Sequence, residues 1–213
     1  MEATRIIAIR HGETTWNADG RVQGHTDIGL SDTGRAQAKL LAQALAGRDR
    51  LDAIYSSDLA RARDTAAAVG AAMGVAVQLE QGLRERAFGR VEGNTFAGIR
   101  ERWPEDAERW RRRDPEWRPE GGESLLQFRE RITAALSRLA AQNMGRHIAV
   151  VAHGGVLDVL YRAATGLGLQ DARTWQLGNC TINRLLWTPD GLTLVGWADD
   201  QHLQQPAADE TFS

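Results

Sequence analysis

Arg5-Ile6-Ile7-Ala8-Ile9-Arg10-His11-Gly12 lies near the start of the chain, and Ile148-Ala149-Val150-Val151-Ala152-His153-Gly154-Gly155 lies near its far end. Both are short apolar runs, rich in β-branched residues and without alternation. That pattern predicts strands buried on both faces, as in a parallel sheet covered by helices. Each run ends in a histidine followed by glycine. In open α/β sheets, ligands bind at the carboxyl ends of such strands, so the two histidines are expected to meet at one sheet edge.

Working outward, helices and strands alternate. Residues 20–29 are rich in Gly and Asp and read as loop. Ser31 is a good N-cap, Asp32 suits the first turn, and Ala36, Leu40, Leu41 and Leu45 repeat at helical spacing. Gly47 is expected to stop that helix. Leu51 to Tyr55 reads as a strand. Ser56-Ser57-Asp58 is then expected to cap a helix that runs to Met73 and ends at Gly74. Val75 to Leu79 reads as a strand, and residues 81–122 as irregular, with Trp103, Trp110 and Trp117 among them. Ser124 opens a helix to about Gln142, and another follows His153 to about Thr165. Thr181 to Trp187 and Leu192 to Trp197 read as a hairpin around Pro189-Asp190-Gly191. The result is an α/β domain with a largely parallel sheet and helices on both faces. Residues 1–213 read as one domain, with a variable, lid-like insertion at about 92–121 and a flexible polar tail after about 199.

Composition narrows the function. Of 213 residues, 42% are hydrophobic and 25% charged, ordinary for a soluble globular chain. The net charge of −2 argues against a nucleic-acid binder. Cys180 is the single cysteine, so no intramolecular disulfide forms, and no zinc spacing exists. No apolar run is long enough for a membrane span or a signal peptide, and a cytoplasmic location is expected. Lys39 is the single lysine. The arginine excess reads mainly as a codon effect, which leaves open the roles of particular arginines.

Phosphoryl transfer needs groups that hold charge spread over several oxygens. Arginines do this bidentately without a metal. A neutral imidazole can attack phosphorus, and a carboxylic acid can protonate the leaving oxygen. Arg10, His11, Arg61, Glu85 and His153 can supply such a set.

The segment Ile9-Arg10-His11-Gly12-Glu13-Thr14-Thr15-Trp16-Asn17 resembles the signature of the histidine phosphatase superfamily, the phosphoglycerate mutase-like proteins. The resemblance continues through Gln23-Gly24, Leu30 to Gly34, Ser56 to Ala62, Leu83-Arg84-Glu85 with Phe88-Gly89, Gly122-Glu123-Ser124 and Ala152 to Gly155. It implies a three-layer α/β/α sandwich. It implies His11 as the phosphorylated nucleophile, with Arg10, Arg61 and His153 on the phosphoryl oxygens. Asn17 and the Gly154 amide would add hydrogen bonds, Gln23 would stand at the pocket rim, and Glu85 would be the acid and then the base. No metal or organic cofactor is implied for hydrolysis.

The same core serves phosphatases and mutases. Mutases of this family typically carry a tyrosine-glycine block after the glutamate, a lysine motif and a longer insertion with paired arginines. Here Ala87-Phe88-Gly89-Arg90-Val91-Glu92-Gly93 follows Glu85, with no lysine and a shorter insertion. The expectation is a phosphomonoesterase acting on a small phosphorylated metabolite through a phosphohistidine. The alternative is a mutase primed by 2,3-bisphosphoglycerate. Arg111-Arg112-Arg113 keeps that alternative open, although Glu108, Asp114 and Glu116 favour a solvated helix face. A non-catalytic phosphate-binding scaffold is a further alternative. The insertion aromatics Phe96, Trp103, Trp110 and Trp117 are expected either to pack on the sheet edge or to form a lid. His25, His147 and His202 read as surface or packing residues. Monomer and homodimer both fit.

Overall fold

The computed structural model describes residues 2–204. In chain order the elements are β1 (Thr4–Arg10), α1 (Thr15–Ala18), α2 (Asp32–Arg48), β2 (Ala53–Ser56), α3 (Ala60–Met73), β3 (Val77–Leu79), α4 (Phe96–Arg102), α5 (Pro104–Arg111), α6 (Leu125–Ala141), β4 (His147–Ala152), α7 (Gly154–Thr165), β5 (Ile182–Thr188) and β6 (Gly191–Asp199). The strands form one six-stranded sheet in the order β3-β2-β4-β1-β5-β6. β1 to β4 run parallel, with Arg10 opposite Ala152, and β5 and β6 add an antiparallel margin.

The unbroken apolar runs are explained by two cores. Ile6 and Ala8 of β1, with Ile148, Val150 and Ala152 of β4, face α6 and α7. Ile7, Ile9, Ala149 and Val151 face α2 and α3. Alternation by strand period thus serves two apolar layers instead of one apolar and one wet. Each fully buried aliphatic side chain is worth about 1.5–3 kcal/mol. The sheet is therefore a firm base for the residues at its carboxyl edge.

Several boundaries differ from expectation. Gly47 lies within α2, and the last bond of that helix runs from the Asp49 amide to the Leu45 carbonyl. Ser56-Ser57-Asp58 does not cap α3, because those side chains are engaged elsewhere. Ser57 Oγ meets His153, and Asp58 binds Arg84. The cap comes from the distant loop, where Asp27 Oδ1 accepts from the Ala60 amide at 2.7 Å. β3 starts two residues later than predicted, at Val77. The segment read as irregular contains two helices. Thr95 caps α4 through its hydroxyl, and Pro104 opens α5, where its missing N–H is not needed. Together they enclose a small core of Val91, Ile99 and Ala107, apart from the two sheet cores. After Asp199, residues Gln201–Leu203 form a 3-10 turn, and His202 Nε2 lies 2.9 Å from the Cys180 carbonyl. The rest of the predicted tail, residues 205–213, lies outside the described residues.

Candidate active site

His11 follows the last residue of β1. Its amide donates to the Ala152 carbonyl, which extends the ladder by one rung. The Gly12 amide donates to Thr65 Oγ1 of α3 at 3.0 Å. Gly12 is tightly enclosed: a Cβ there would stand 2.5 Å from the Gly34 carbonyl oxygen. The chain turn after the histidine is thus fastened on both sides.

His11 is 3% exposed, and its Nδ1 lies 2.7 Å from the Gly12 carbonyl. A carbonyl only accepts, so Nδ1 carries the hydrogen and Nε2 keeps its lone pair. His153, the N-cap of α7, is fully buried, with Nε2 2.8 Å from Ser57 Oγ. The two rings are 5.2 Å apart and tilted by 59°. Burial first, and then the charges of Arg10 and Arg61, hold the pKa of His11 well below its ordinary value. His153 is held down by burial and then by Arg61. Both imidazoles are therefore neutral near pH 7.

Arg61, on the first turn of α3, is fully buried. It gives Nη1 to the Thr26 carbonyl at 3.1 Å and Nη2 to the Gly24 carbonyl at 2.7 Å. Arg10 gives Nη1 to the Leu177 carbonyl. Burial lowers the pKa of both arginines, and Glu85 opposes that shift in each. Among the described residues, Arg10 Nε, Arg61 Nε and His153 Nδ1 are buried without a hydrogen-bond partner. An oxyanion supplies the acceptors that such orphaned groups need.

Glu85 reaches the same place from the turn after β3. Its Oε2 accepts from the Gly155 amide at 2.9 Å, and its Oε1 from the Arg86 amide at 2.8 Å. Its own carbonyl accepts from Arg131 Nη2 at 3.1 Å and lies 2.8 Å from His25 Nε2. His25, read from the sequence as a surface or packing residue, thus steadies the backbone that carries Glu85. Asn17 closes a capping box on α1, accepting from the Thr14 amide at 3.1 Å, which leaves its Nδ2 group available. Gln23 is 8% exposed, and its Oε1 accepts from Thr14 Oγ1 at 3.0 Å. Gly154 is the first residue of α7, where an amide has no partner within the helix. Asn17, Gln23, Gly154, Arg10, His11, Arg61 and Glu85 line one cavity of about 200 Å³. His153 stands against its wall through His11.

The sequence matches the histidine phosphatase superfamily (branch 1) over residues 6–200. The chain belongs to this superfamily. It is 36% identical to the metal-independent phosphoserine phosphatase of Arabidopsis thaliana, across 95% of this chain and 84% of that protein. It is 35% identical to phosphoglycerate mutase-like protein 4 of the same plant, across 96% and 89% of the two chains. The structure of a mycobacterial glucosyl-3-phosphoglycerate phosphatase complexed with VO3 superposes with a TM-score of 0.82. It is 33% identical over 92% of this chain and 99% of that one. Members of the superfamily act on small phosphorylated metabolites through a phosphohistidine. This chain is therefore an enzyme of that kind.

In this histidine phosphatase a second, larger cavity of about 740 Å³ adjoins the first, sharing Arg10, Glu85, Phe88, Trp110 and Gly154 with it. Trp110 stacks on Phe88 with centroids 4.8 Å apart, and Phe96 meets its edge. Trp117 instead is 4% exposed and gives Nε1 to Asp106. The insertion aromatics thus divide: Trp110 faces the cavity, and Trp117 packs within the insertion. The arginine triplet divides as well. Arg111 and Arg112 pair with Glu108 on the solvent side and push its pKa down to about 2. Arg113, with φ of 52°, turns inward to Asp158 Oδ2 at 2.8 Å. The opposite wall, from the segment between Leu169 and Gly178, was not anticipated from the sequence. Among the described residues, no cluster of three His, Cys, Asp or Glu side chains is placed to hold a metal ion. No described helix is long and apolar enough to cross a membrane. Burial pushes the Cys180 thiol up to about 12, which makes it a poor nucleophile.

Proposed function

We propose that the protein is a phosphomonoesterase in which His11 Nε2 is the nucleophile and Glu85 the proton donor. The observation that carries this reading is the convergence of a neutral, tautomer-fixed His11, the orphaned Nε groups of Arg10 and Arg61 and the Glu85 carboxyl on one small cavity, with His153 packed against His11. In the first step His11 Nε2 forms a bond to phosphorus and the ester P–O bond breaks. Glu85, in its protonated form, gives its proton to the leaving oxygen. Arg10, Arg61 and His153 hold the phosphoryl oxygens, helped by Asn17 Nδ2 and the Gly154 amide, with Gln23 at the rim. In the second step Glu85 takes a proton from water, the water oxygen bonds to phosphorus, and the P–N bond breaks. Arginine charge does the work that a metal would otherwise do, so the reaction needs no metal or organic cofactor.

Hydrolysis is favoured over mutase chemistry because Glu85 lies on the border of the larger, open cavity, where water has access. Arg113 on that cavity wall is the feature that keeps a mutase as the second reading. The deciding assay offers 3-phosphoglycerate with and without 2,3-bisphosphoglycerate, and p-nitrophenyl phosphate, all in excess EDTA. Free phosphate without 2-phosphoglycerate is expected. Cofactor-dependent 2-phosphoglycerate with little free phosphate would make the enzyme a mutase. Loss of activity on chelation would reject the metal-free mechanism.

A further inference from the structure

We propose that Arg173 and Trp175, on the segment between α7 and β5, form a subsite for a carboxylate carried by the leaving group. The inference rests on the phosphatase reading above and concerns what that phosphatase selects.

Charge accounting motivates it. Arg10, Arg86, Arg113 and Arg173 line the larger cavity, against Glu85 and Asp158. Asp158 Oδ2 is shared between Arg113 at 2.8 Å and Arg162 at 3.0 Å, so its charge is already matched. Arg10 and Arg61 belong to the phosphoryl group. Arg86 spends Nε and Nη2 on the main-chain carbonyls of Glu123 and Trp117 and has no carboxylate partner among the described residues. Arg173 is exposed at the cavity wall and makes neither hydrogen bond nor ion pair with any described residue. It is also close enough to Arg10 for the two like charges to oppose each other. A substrate whose only charge is its phosphoryl group leaves this positive excess unanswered. A second anionic group answers it.

Trp175 shows where that group docks. Its ring stacks on Tyr161 with centroids 4.1 Å apart, and the Arg162 guanidinium lies 4.8 Å from its centroid. The indole is therefore held in place, and it is 8% exposed. Its Nε1 is nonetheless buried with no acceptor among the described residues. Arg173 and Trp175 stand two residues apart and line the same cavity, and a carboxylate accepts from a guanidinium and an indole N–H alike. Asp158 Oδ1, also buried and unpartnered at this cavity, suits a hydroxyl next to the carboxylate.

The test compares 3-phosphoglycerate with glycerol 3-phosphate, which differs in having a hydroxymethyl group where the carboxylate stands. The wild-type enzyme is expected to prefer 3-phosphoglycerate about tenfold or more in kcat/KM, the scale of a charge-assisted hydrogen bond. Arg173→Gln is expected to bring the two esters within about threefold, with the loss falling mainly on 3-phosphoglycerate. Trp175→Phe keeps the stacked ring, removes the N–H and should shrink the preference by a smaller factor. No preference in the wild type, or equal losses on both esters in Arg173→Gln, would overturn the subsite. A wild-type enzyme that fails even on p-nitrophenyl phosphate would overturn the phosphatase reading itself, and the subsite with it.

Discussion

The two ends of the connected cavities are built by different means. At the phosphoryl end, Arg10, His11, Arg61, His153 and Glu85 hang on elements of the sheet layers: β1, the starts of α3 and α7, and the glutamate turn tied to α6 by Arg131. At the leaving-group end, the walls are the insertion with its own small core and the long segment after α7. One end is anchored to two large cores, and the other to stacked aromatics and a few arginines. A shared phosphoryl chemistry can thus stay constant while the far wall changes with the substrate.

Substitutions can break this contrast. The largest effect is expected from His11→Ala, with turnover of p-nitrophenyl phosphate falling by about three orders of magnitude or more and the fold kept. Near-native activity with a native melting curve would remove His11 from the chemistry. Glu85→Gln comes next. It should slow the first, phosphoryl-loading step about a hundredfold or more with an alkyl phosphate, but far less with p-nitrophenyl phosphate, whose nitrophenolate leaves without a proton, read as the single-turnover release of each alcohol. Equal losses on both would assign Glu85 to binding instead of proton transfer. Trp110→Ala tests the other end. It should raise KM for a bulky ester by a few fold and leave inhibition by inorganic phosphate nearly unchanged, since Trp110 faces both cavities but holds no phosphoryl oxygen. A matching loss of phosphate inhibition would mean that the two ends are not separable.

The smallest effect is thermodynamic. The folded pKa of His11 lies below the ordinary value of 6.5, so on acidification the unfolded chain takes the proton first. The stability is complete above about pH 6.5 and is lost as the pH falls towards the folded value, by at most about 1.4 kcal/mol per pH unit for one histidine. Unfolding midpoints should therefore drop between pH 7.5 and 5.5, and less so in His11→Asn. Parallel profiles for the two proteins would contradict a buried neutral His11.

The phosphoryl end was the legible one. Ile6 to Ile9 and Ile148 to Val151 announce strands with two apolar faces, and the residues after them form ordered motifs. The structure brings seven of the eight candidate residues to one cavity and packs the eighth, His153, against His11; for those that follow β1 and β4, local sequence and strand order agree. What escaped depends on partners distant in sequence. Asp27 caps α3 from 33 residues away, which no local cap pattern shows. His25 acts on the Glu85 main chain and leaves no motif. Arg113 differs from Arg111 and Arg112 only by the backbone turn that follows α5. The 169–178 wall is held by Tyr161 and by Trp197 of β6, so its function depends on packing between elements far apart in the chain.

Gly155 joins the acid to the helix that follows His153. A Cβ there would stand 2.2 Å from Glu85 Oε1, so the carboxylate occupies the space that a single methyl group would take. Gly155→Ala would displace the acid while leaving the nucleophile and its arginines where they are. Such a protein should load quickly from an activated aryl ester and unload slowly to water, seen as a burst of nitrophenol approaching one equivalent per chain. In that form the molecule would become a reservoir of transferable phosphate, open to acceptors other than water, and under the proposed mechanism the missing methyl group at Gly155 is what would keep the natural chain from accumulating its own intermediate.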